Sequence, residues 1–412
     1  MSNTNFHLNR YKPWLIASFF ILLLIAVESY LVYIVYSTRV AGTADFFSRW
    51  YGAKELILNG RNPYGEDVET ETQLAMFGAV RAADQDQVNF AYPLYTIYLF
   101  WPLTFVSYAW AQAIWMVILQ FALLGAIGLL FNLVRWKPPT LLFAVTVLWS
   151  LFFYSATRAI MLGQFSVIVF LCLTITMWGV VNSHDKLAGA ILPLTTIKPQ
   201  MIFLVIPFIL LWSWRQRRWS FIIAFGLSSA GLLLTSLIWL PDWPLHFIKV
   251  ALAYADYVNH GAPLENMTAR FLPTLDHLLN PLLTILLLAL LLWQWGLALS
   301  TQADSFLWVI NITLLISNLI AFRSATTNHI VLYLTMFILF NRLSPAHWKI
   351  VAIQLVSLIG LWILFATTID KSRAHNFEAL FMHGFLPVLL LVYSLLDWSK
   401  LKAITPKINL VQ

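Results

Sequence analysis

Asp45, Arg158, Gln164, Lys198, Arg323 and His329 stand at the ends or breaks of long apolar runs in this chain. A charged side chain at membrane depth costs about 2.5–3.5 kcal/mol on insertion scales, so each is a functional candidate by default. One carboxylate among several cations is a combination that can activate a hydroxyl beside an anionic lipid headgroup. The carboxylate accepts a proton and the cations balance phosphate charge. Each residue also has a plainer role open to it. Asp45 suits a helix N-cap, and Lys198 can snorkel to the interface. Arg158 and Arg323 can anchor span ends on bulk phosphates. His329 can be a satisfied interfacial residue, and Gln164 can hydrogen-bond a neighbouring helix.

Other motifs carry less. Asp84-Gln85-Asp86 has the hard oxygen ligands a divalent cation takes, but in a polar loop it reads as a solvated segment. No Walker loop, G-x-G-x-x-G turn or Cys/His metal spacing is recognisable, so no metal ligand is assigned. No cofactor is required by the residues, and a divalent metal is compatible without being called for. The single cysteine, Cys172, lies in an apolar run and reads as a buried thiol. Asn266-Met267-Thr268 matches a glycan acceptor sequon, a match common by chance.

The elements that must position these residues are transmembrane helices. Of 412 residues, 60% are hydrophobic and 10% charged, against roughly 25% charged in a soluble domain. The reading is an all-α polytopic membrane protein with about 10–12 transmembrane helices, forming one membrane-embedded unit over 1–412 without a separate soluble domain. Expected spans are 14–36, 109–134, 139–156, 165–182, 187–213, 219–240, 281–300, 306–322, 329–343, 348–368 and 380–397. The first is too long for a signal-peptide core and reads as a retained anchor. The net charge of +7 collects at span ends and reports topology, not nucleic-acid binding. Putting every basic cluster in the cytoplasm requires 187–213 to return to its starting side. Pro193 and Lys198-Pro199 supply the break, giving two half-helices with Lys198 near their junction. Both termini are then cytoplasmic in a multi-pass protein of the plasma membrane.

Two segments face outward on this reading, 37–108 and 241–280. In the first, Asp45, Ser48, Gly52, Glu55 and Asn59 form one helical stripe, and Phe46, Trp50, Ala53 and Ile57 another. An amphipathic interfacial helix is expected, its aromatics in the headgroups, stopped at Gly60. A second helix is expected over 68–80, then a membrane-dipping run to Phe105 broken by Pro102. The second loop carries an amphipathic piece over 245–258, with Leu245, Ile248, Leu252 and Tyr254 near one face.

The pattern Asp45-Phe46, Tyr51, Ala53, Leu56, Gly60, Asn62-Pro63-Tyr64 and Phe90-Ala91-Tyr92-Pro93 resembles the membrane glycosyltransferases of family 87 in the GT-C superfamily. Gly163-Gln164, Ala188-Gly189, Ile197-Lys198-Pro199-Gln200 and His329 at the head of a span fit the same pattern. The chain departs from it at Leu94, where a second proline is usual, and around Arg323, where the usual Ser-Pro and aromatic residues are missing. The resemblance implies a GT-C-like fold and an inverting transfer of one sugar from a polyprenyl-phosphate donor to a lipid-linked or glycan acceptor hydroxyl at the outer face. It carries the catalytic aspartate to Asp45. Lys198, Arg323, Arg158 and His329 are then candidates for the donor phosphate, and Gln164, Tyr64, Tyr92 and Arg61 for substrate contact. The alternatives are a flippase-like transporter, which would usually show repeated halves, and a ligase moving a whole lipid-linked glycan.

Overall fold

A computed structural model describes residues 4–40, 45–82, 85, 87–257, 261–300, 305–322, 324–368 and 384–397. Among them every regular element is helical and no strand occurs. The helices in order are α1 (Thr4–Val32), α2 (Phe46–Asn59), α3 (Glu66–Phe77), α4 (Tyr108–Leu133), α5 (Thr140–Phe152), α6 (Tyr154–Met161) and α7 (Ser166–Val181). There follow α8 (Asp185–Ile191), α9 (Val205–Arg215), α10 (Trp219–Trp239), α11 (Trp243–Tyr257), α12 (Pro263–Phe271), α13 (Asp276–Ser300) and α14 (Phe306–Ile320). The last are α15 (Tyr333–Leu343), α16 (His347–Thr368) and α17 (Leu386–Leu396).

Five described segments, Ser18–Ser37, α4, α10, Asp276–Leu299 and His347–Thr367, are long and apolar enough to cross a bilayer. The pair α5 and α6, bent by 50° at one residue, makes a sixth if taken as one span. Four shorter apolar helices, α7, α9, α14 and α17, complete the bundle. The chain is therefore an all-helical polytopic membrane protein. Burial sorts the helices into two classes. α14 is buried from Phe306 to Leu319, and α4 buries Trp115, Leu119, Leu123, Ala126 and Leu130. By contrast α10 exposes Ile223, Leu227, Leu234 and Ile238, and α16 exposes Val356, Ile359 and Ile363. The inner helices can thus hold polar groups that lipid-facing ones cannot. On α14, Asn311 accepts from Thr335 Oγ1 at 2.7 Å and Thr313 accepts from Trp295 Nε1 at 3.0 Å.

The 187–213 region is broken where its prolines demand. α8 runs into 3-10 turns at Leu192–Ile197 and Pro199–Met201 before α9 begins. Lys198, between the two turns, has φ −126° and ψ 78°. A residue preceding proline is pushed out of the helical region by the ring, so the helix cannot pass through it.

In the first loop, α2 ends at Gly60 in the left-handed region, φ 65°, whose N–H bonds back to the Leu56 carbonyl. The interfacial placement expected of its aromatics is corrected here. Phe46 and Trp50 are buried in protein, with Phe46 stacked on Trp115 at 5.3 Å and Trp50 Nε1 donating to the Leu103 carbonyl at 2.8 Å. Most of both stripes of α2 is covered, Ser48 and Glu55 included, because the turn at Trp101–Phe105, α3 and α4 all pack against it. The run to Phe105 is thus two 3-10 turns broken at Phe100, which has φ −142° and ψ 9°. In the second loop, α11 keeps Leu245, Ile248 and Leu252 exposed while Trp243 is buried. The loops meet where Asn62 Nδ2 lies 3.2 Å from His246 Nε2 and the Tyr64 ring stacks on the His246 ring.

Candidate functional site

Asp45 sits at the N-cap position of α2 but does not cap it. Its φ of −55° and ψ of −24° are already helical, and its side chain makes no bond to the first-turn amides. The carboxylate oxygen Oδ2 instead accepts from Gln164 Nε2, a residue 119 positions away. The turn that brings Gln164 there depends on Gly163. Its φ is +67°, and a Cβ on it would fall 2.5 Å from that of Phe46. Leu162 accepts from the Phe46 N–H at 3.2 Å and Gly163 accepts from Trp115 Nε1 at 2.9 Å. The turn between α6 and α7 is thereby docked on the start of α2.

Behind Gln164 lies Lys198, 4% exposed at the break between α8 and α9. Its Nζ donates to Gln164 Oε1 at 2.6 Å and to Asn328 Oδ1 at 2.9 Å. Tyr92 OH also points at Gln164 Oε1, at 3.5 Å. Asn328 belongs to the 3-10 turn Thr326–Leu332, and His329 is buried beside it. Four segments far apart in sequence are therefore joined in one hydrogen-bonded network that reaches the carboxylate through Gln164.

Next to this cluster a cavity of about 380 Å³ has two kinds of wall. Arg49, Tyr92 and Gln200 are its polar lining, with Arg49 and Tyr92 side by side, while Phe203, Phe247, Ile320 and Phe322 are apolar lining. Arg49 is one turn of helix beyond Asp45. Its Nη1 donates to the Asp45 carbonyl and, at 3.0 Å, to Ser48 Oγ. Phe203 and Phe322 are exposed, so part of the apolar lining is at the surface of the bundle. Such a space accepts an amphiphile with its charged group at Arg49 and its hydrocarbon toward the lipid.

The other candidates fall elsewhere. Arg158, on α6, holds its guanidinium over the Phe365 ring at 5.1 Å and does not line this cavity. Tyr64 is buried and gives its hydroxyl proton to the Tyr92 carbonyl at 2.6 Å, fixing the backbone of a wall residue. Arg61 is tied to Glu55 at 2.9 Å, Asp67 at 2.9 Å and Glu71 at 2.8 Å, locking α2 to α3. Arg323, Asp84 and Asp86 lie outside the described residues. Among the described residues no group of three or more His, Cys, Asp or Glu is arranged to hold a metal ion. Sequence reasoning gave no role to Arg49 or Asn328, and named Gln200 only within the Ile197–Gln200 motif. Arg49 had a signal, since a residue four positions after Asp45 shares its helix face. Asn328 had none beyond standing next to His329.

Comparison with known families finds one match that covers more than half of the chain. The model of Glycosyltransferase family 87 matches residues 90–321. That stretch contains Tyr92, Gln164 and Lys198 but not Asp45. No curated protein and no solved structure matches the chain.

Proposed function

Because the chain belongs to glycosyltransferase family 87, and is thus a membrane-embedded glycosyltransferase, we propose that it moves a single sugar from a polyprenyl-phosphate donor to a hydroxyl of a lipid-linked or glycan acceptor, with inversion. The observation that carries this reading is one hydrogen-bonded carboxylate, Asp45, a helical turn before Arg49, which lines a cavity whose other walls are largely apolar. An isoprenoid phosphate has the same two-part chemistry.

In the proposed reaction the Asp45 carboxylate takes the proton of the acceptor hydroxyl. The acceptor oxygen forms a bond to the anomeric carbon from the side opposite the phosphate. The bond from that carbon to the phosphate oxygen breaks, and the phosphate keeps the electron pair. General-base assistance of this kind contributes typically about 10²–10⁴-fold. The leaving phosphate gains a negative charge as the bond breaks, and Arg49 is the cation on the cavity wall that meets it. A charge aimed at a developing anion in a dry site is worth more than in water. The surrounding loops hold donor and acceptor together, the other large contribution to such a transfer.

The outer face of the plasma membrane is the proposed location. Basic residues before Ser18–Ser37, between α4 and α5, and after α9 mark the cytoplasmic side, opposite the end of the first span that leads to Asp45. His329, in the Thr326–Leu332 turn, remains a candidate for the donor headgroup, as does Arg323 by sequence.

The test uses purified protein in liposomes with a radiolabelled polyprenyl-phosphate sugar and a hydroxyl acceptor. Wild type is expected to transfer label with release of polyprenyl phosphate, and Asp45→Asn to lose transfer while remaining monodisperse and membrane-inserted. Substrate translocation without bond cleavage would establish the transporter alternative instead.

A further inference from the structure

We propose that Lys198 is a positioning residue that acts through Gln164, fixing which way round the Gln164 amide sits and so committing its NH2 to Asp45. The inference rests on Asp45 being the base. An amide side chain has two ends of similar shape and opposite hydrogen-bonding sense. An ammonium has only protons to give. With Lys198 Nζ 2.6 Å from one end, that end must be the carbonyl oxygen, and the end facing Asp45 Oδ2 must be the NH2. Reversal would set NH2 against the ammonium and oxygen against the carboxylate, while the Tyr92 hydroxyl could serve either sense. Lys198, Gln164 and Asn328 are 4%, 8% and 1% exposed, so little water is present to relieve either clash.

Asn328 completes the device from the other side. Its Oδ1 takes a second Lys198 proton at 2.9 Å, which holds the ammonium between two amides. Lys198, Gln164 and Asp45 all stand outside the cavity lining, next to wall residues Arg49, Tyr92, Ile197 and Pro199. Among the described residues, both hydrogen bonds of the Lys198 ammonium go to side-chain amides of the protein. On the carboxylate, Oδ2 is occupied by Gln164 while Oδ1 has no hydrogen-bond partner among the described residues. The pair therefore turns the carboxylate and leaves one defined oxygen for the acceptor proton. The small rotation that Gln164 prevents matters because misplacement of a reacting group by about 1 Å can cost about 100-fold in rate.

The test is a double-mutant cycle on the reconstituted enzyme, with kcat and donor KM measured separately using polyprenyl-phosphate sugar. Lys198→Met and Gln164→Met are each expected to lower kcat by about 10- to 100-fold while donor KM stays within about twofold. The double variant should be no slower than Gln164→Met alone, because Lys198 has nothing to act on once the amide is gone. Lys198→Gln, which hydrogen-bonds in either sense, should behave like Lys198→Met, whereas Lys198→Arg should recover part of kcat. Multiplicative losses in the double variant would overturn the proposal. So would a raised donor KM with kcat held, the signature of a direct phosphate ligand. If Lys198→Met is not monodisperse, Gln164→Met and Lys198→Gln carry the test, and wild-type kcat in either overturns it. Asp45→Asn assayed in parallel separates the two ideas. Activity there removes the base, while loss there with an additive cycle removes only the positioning role.

Discussion

The guanidinium of Arg49 lies over the Tyr92 ring, 5.0 Å from its centroid, and donates from Nη1 to the carbonyl of Asp45 in the preceding turn of the same helix. One α-helical turn thus carries the carboxylate and a cation with a common orientation, and Tyr92 supports that cation from a different segment. The Tyr92 backbone is in turn held by Tyr64 OH at 2.6 Å.

Arg49 in this position is expected to bear directly on donor use. Arg49→Met removes a planar, multidentate charge that the proposed reaction sets against the leaving phosphate. A fall of about 10²–10³-fold in kcat/KM for the polyprenyl-phosphate sugar is expected. Arg49→Lys keeps the charge but loses the fork that matches phosphate oxygens, so it should recover only part of the loss. Unchanged kcat/KM in Arg49→Met would take Arg49 off the phosphate.

Tyr64 is a candidate for substrate contact by sequence, yet its hydroxyl is engaged inside the protein. Tyr64→Phe leaves the buried Tyr92 carbonyl without its donor, a loss of about 1–3 kcal/mol. The effect should appear as a lowered unfolding temperature in detergent. Activity at a temperature where the variant is fully folded should change little, and a selective loss of acceptor use would instead return Tyr64 to the substrate.

Gly163 is expected to be the least tolerant residue of the site. Its positive φ costs a non-glycine residue about 1–3 kcal/mol, and a methyl group there meets Phe46 in the backbone-docked start of α2. Gly163→Ala should therefore loosen Gln164 and the first turn of α2 together. Amide exchange over residues 45–50 would report it, and wild-type protection there would show that the docking does not need glycine.

How far the site was legible in the sequence follows from the range of each interaction. The stop of α2 at Gly60 and the break at Lys198-Pro199 are local, set by glycine and proline chemistry within a few residues. The apolar runs likewise mark the helices that can span a bilayer, although α9 and α15 begin later than expected because 3-10 turns precede them. The pairing of Asp45 with Gln164, and of Lys198 with Asn328 130 residues on, is set by tertiary packing and has no local signature. The same limit explains Phe46 and Trp50. An amphipathic stripe predicts that a face is covered, but whether lipid headgroups or protein cover it depends on segments such as Trp101–Phe105 that fold back from elsewhere.

The charge cluster on α2 and α3 gives a prediction with pH. Hydrogen bonds from Arg61 hold the carboxyls of Asp67 and Glu71 below the ordinary carboxylate range, with Tyr51 OH adding a bond of 2.7 Å to Glu71. Burial, followed by that same bond, pushes the Tyr51 hydroxyl up to about 12, so it remains a donor throughout the neutral range. A carboxyl whose folded value lies below its unfolded one stabilises the fold above the unfolded value, near 4, and loses that contribution as pH falls through the folded value. Glu69, raised by burial, works in the opposite sense and gains as it protonates. Asp67 and Glu71 both bond Arg61 directly, so their loss should dominate the junction. Amide exchange over residues 61–77 is expected to be slow and pH-independent, after correction for intrinsic exchange, from pH 8 to about pH 5. Protection should then fall as the pH drops below about 4. Arg61→Gln should show reduced protection already at pH 7 and a flattened dependence below it. Full protection of that variant at pH 7 would mean the ion pairs do not hold α3 against α2.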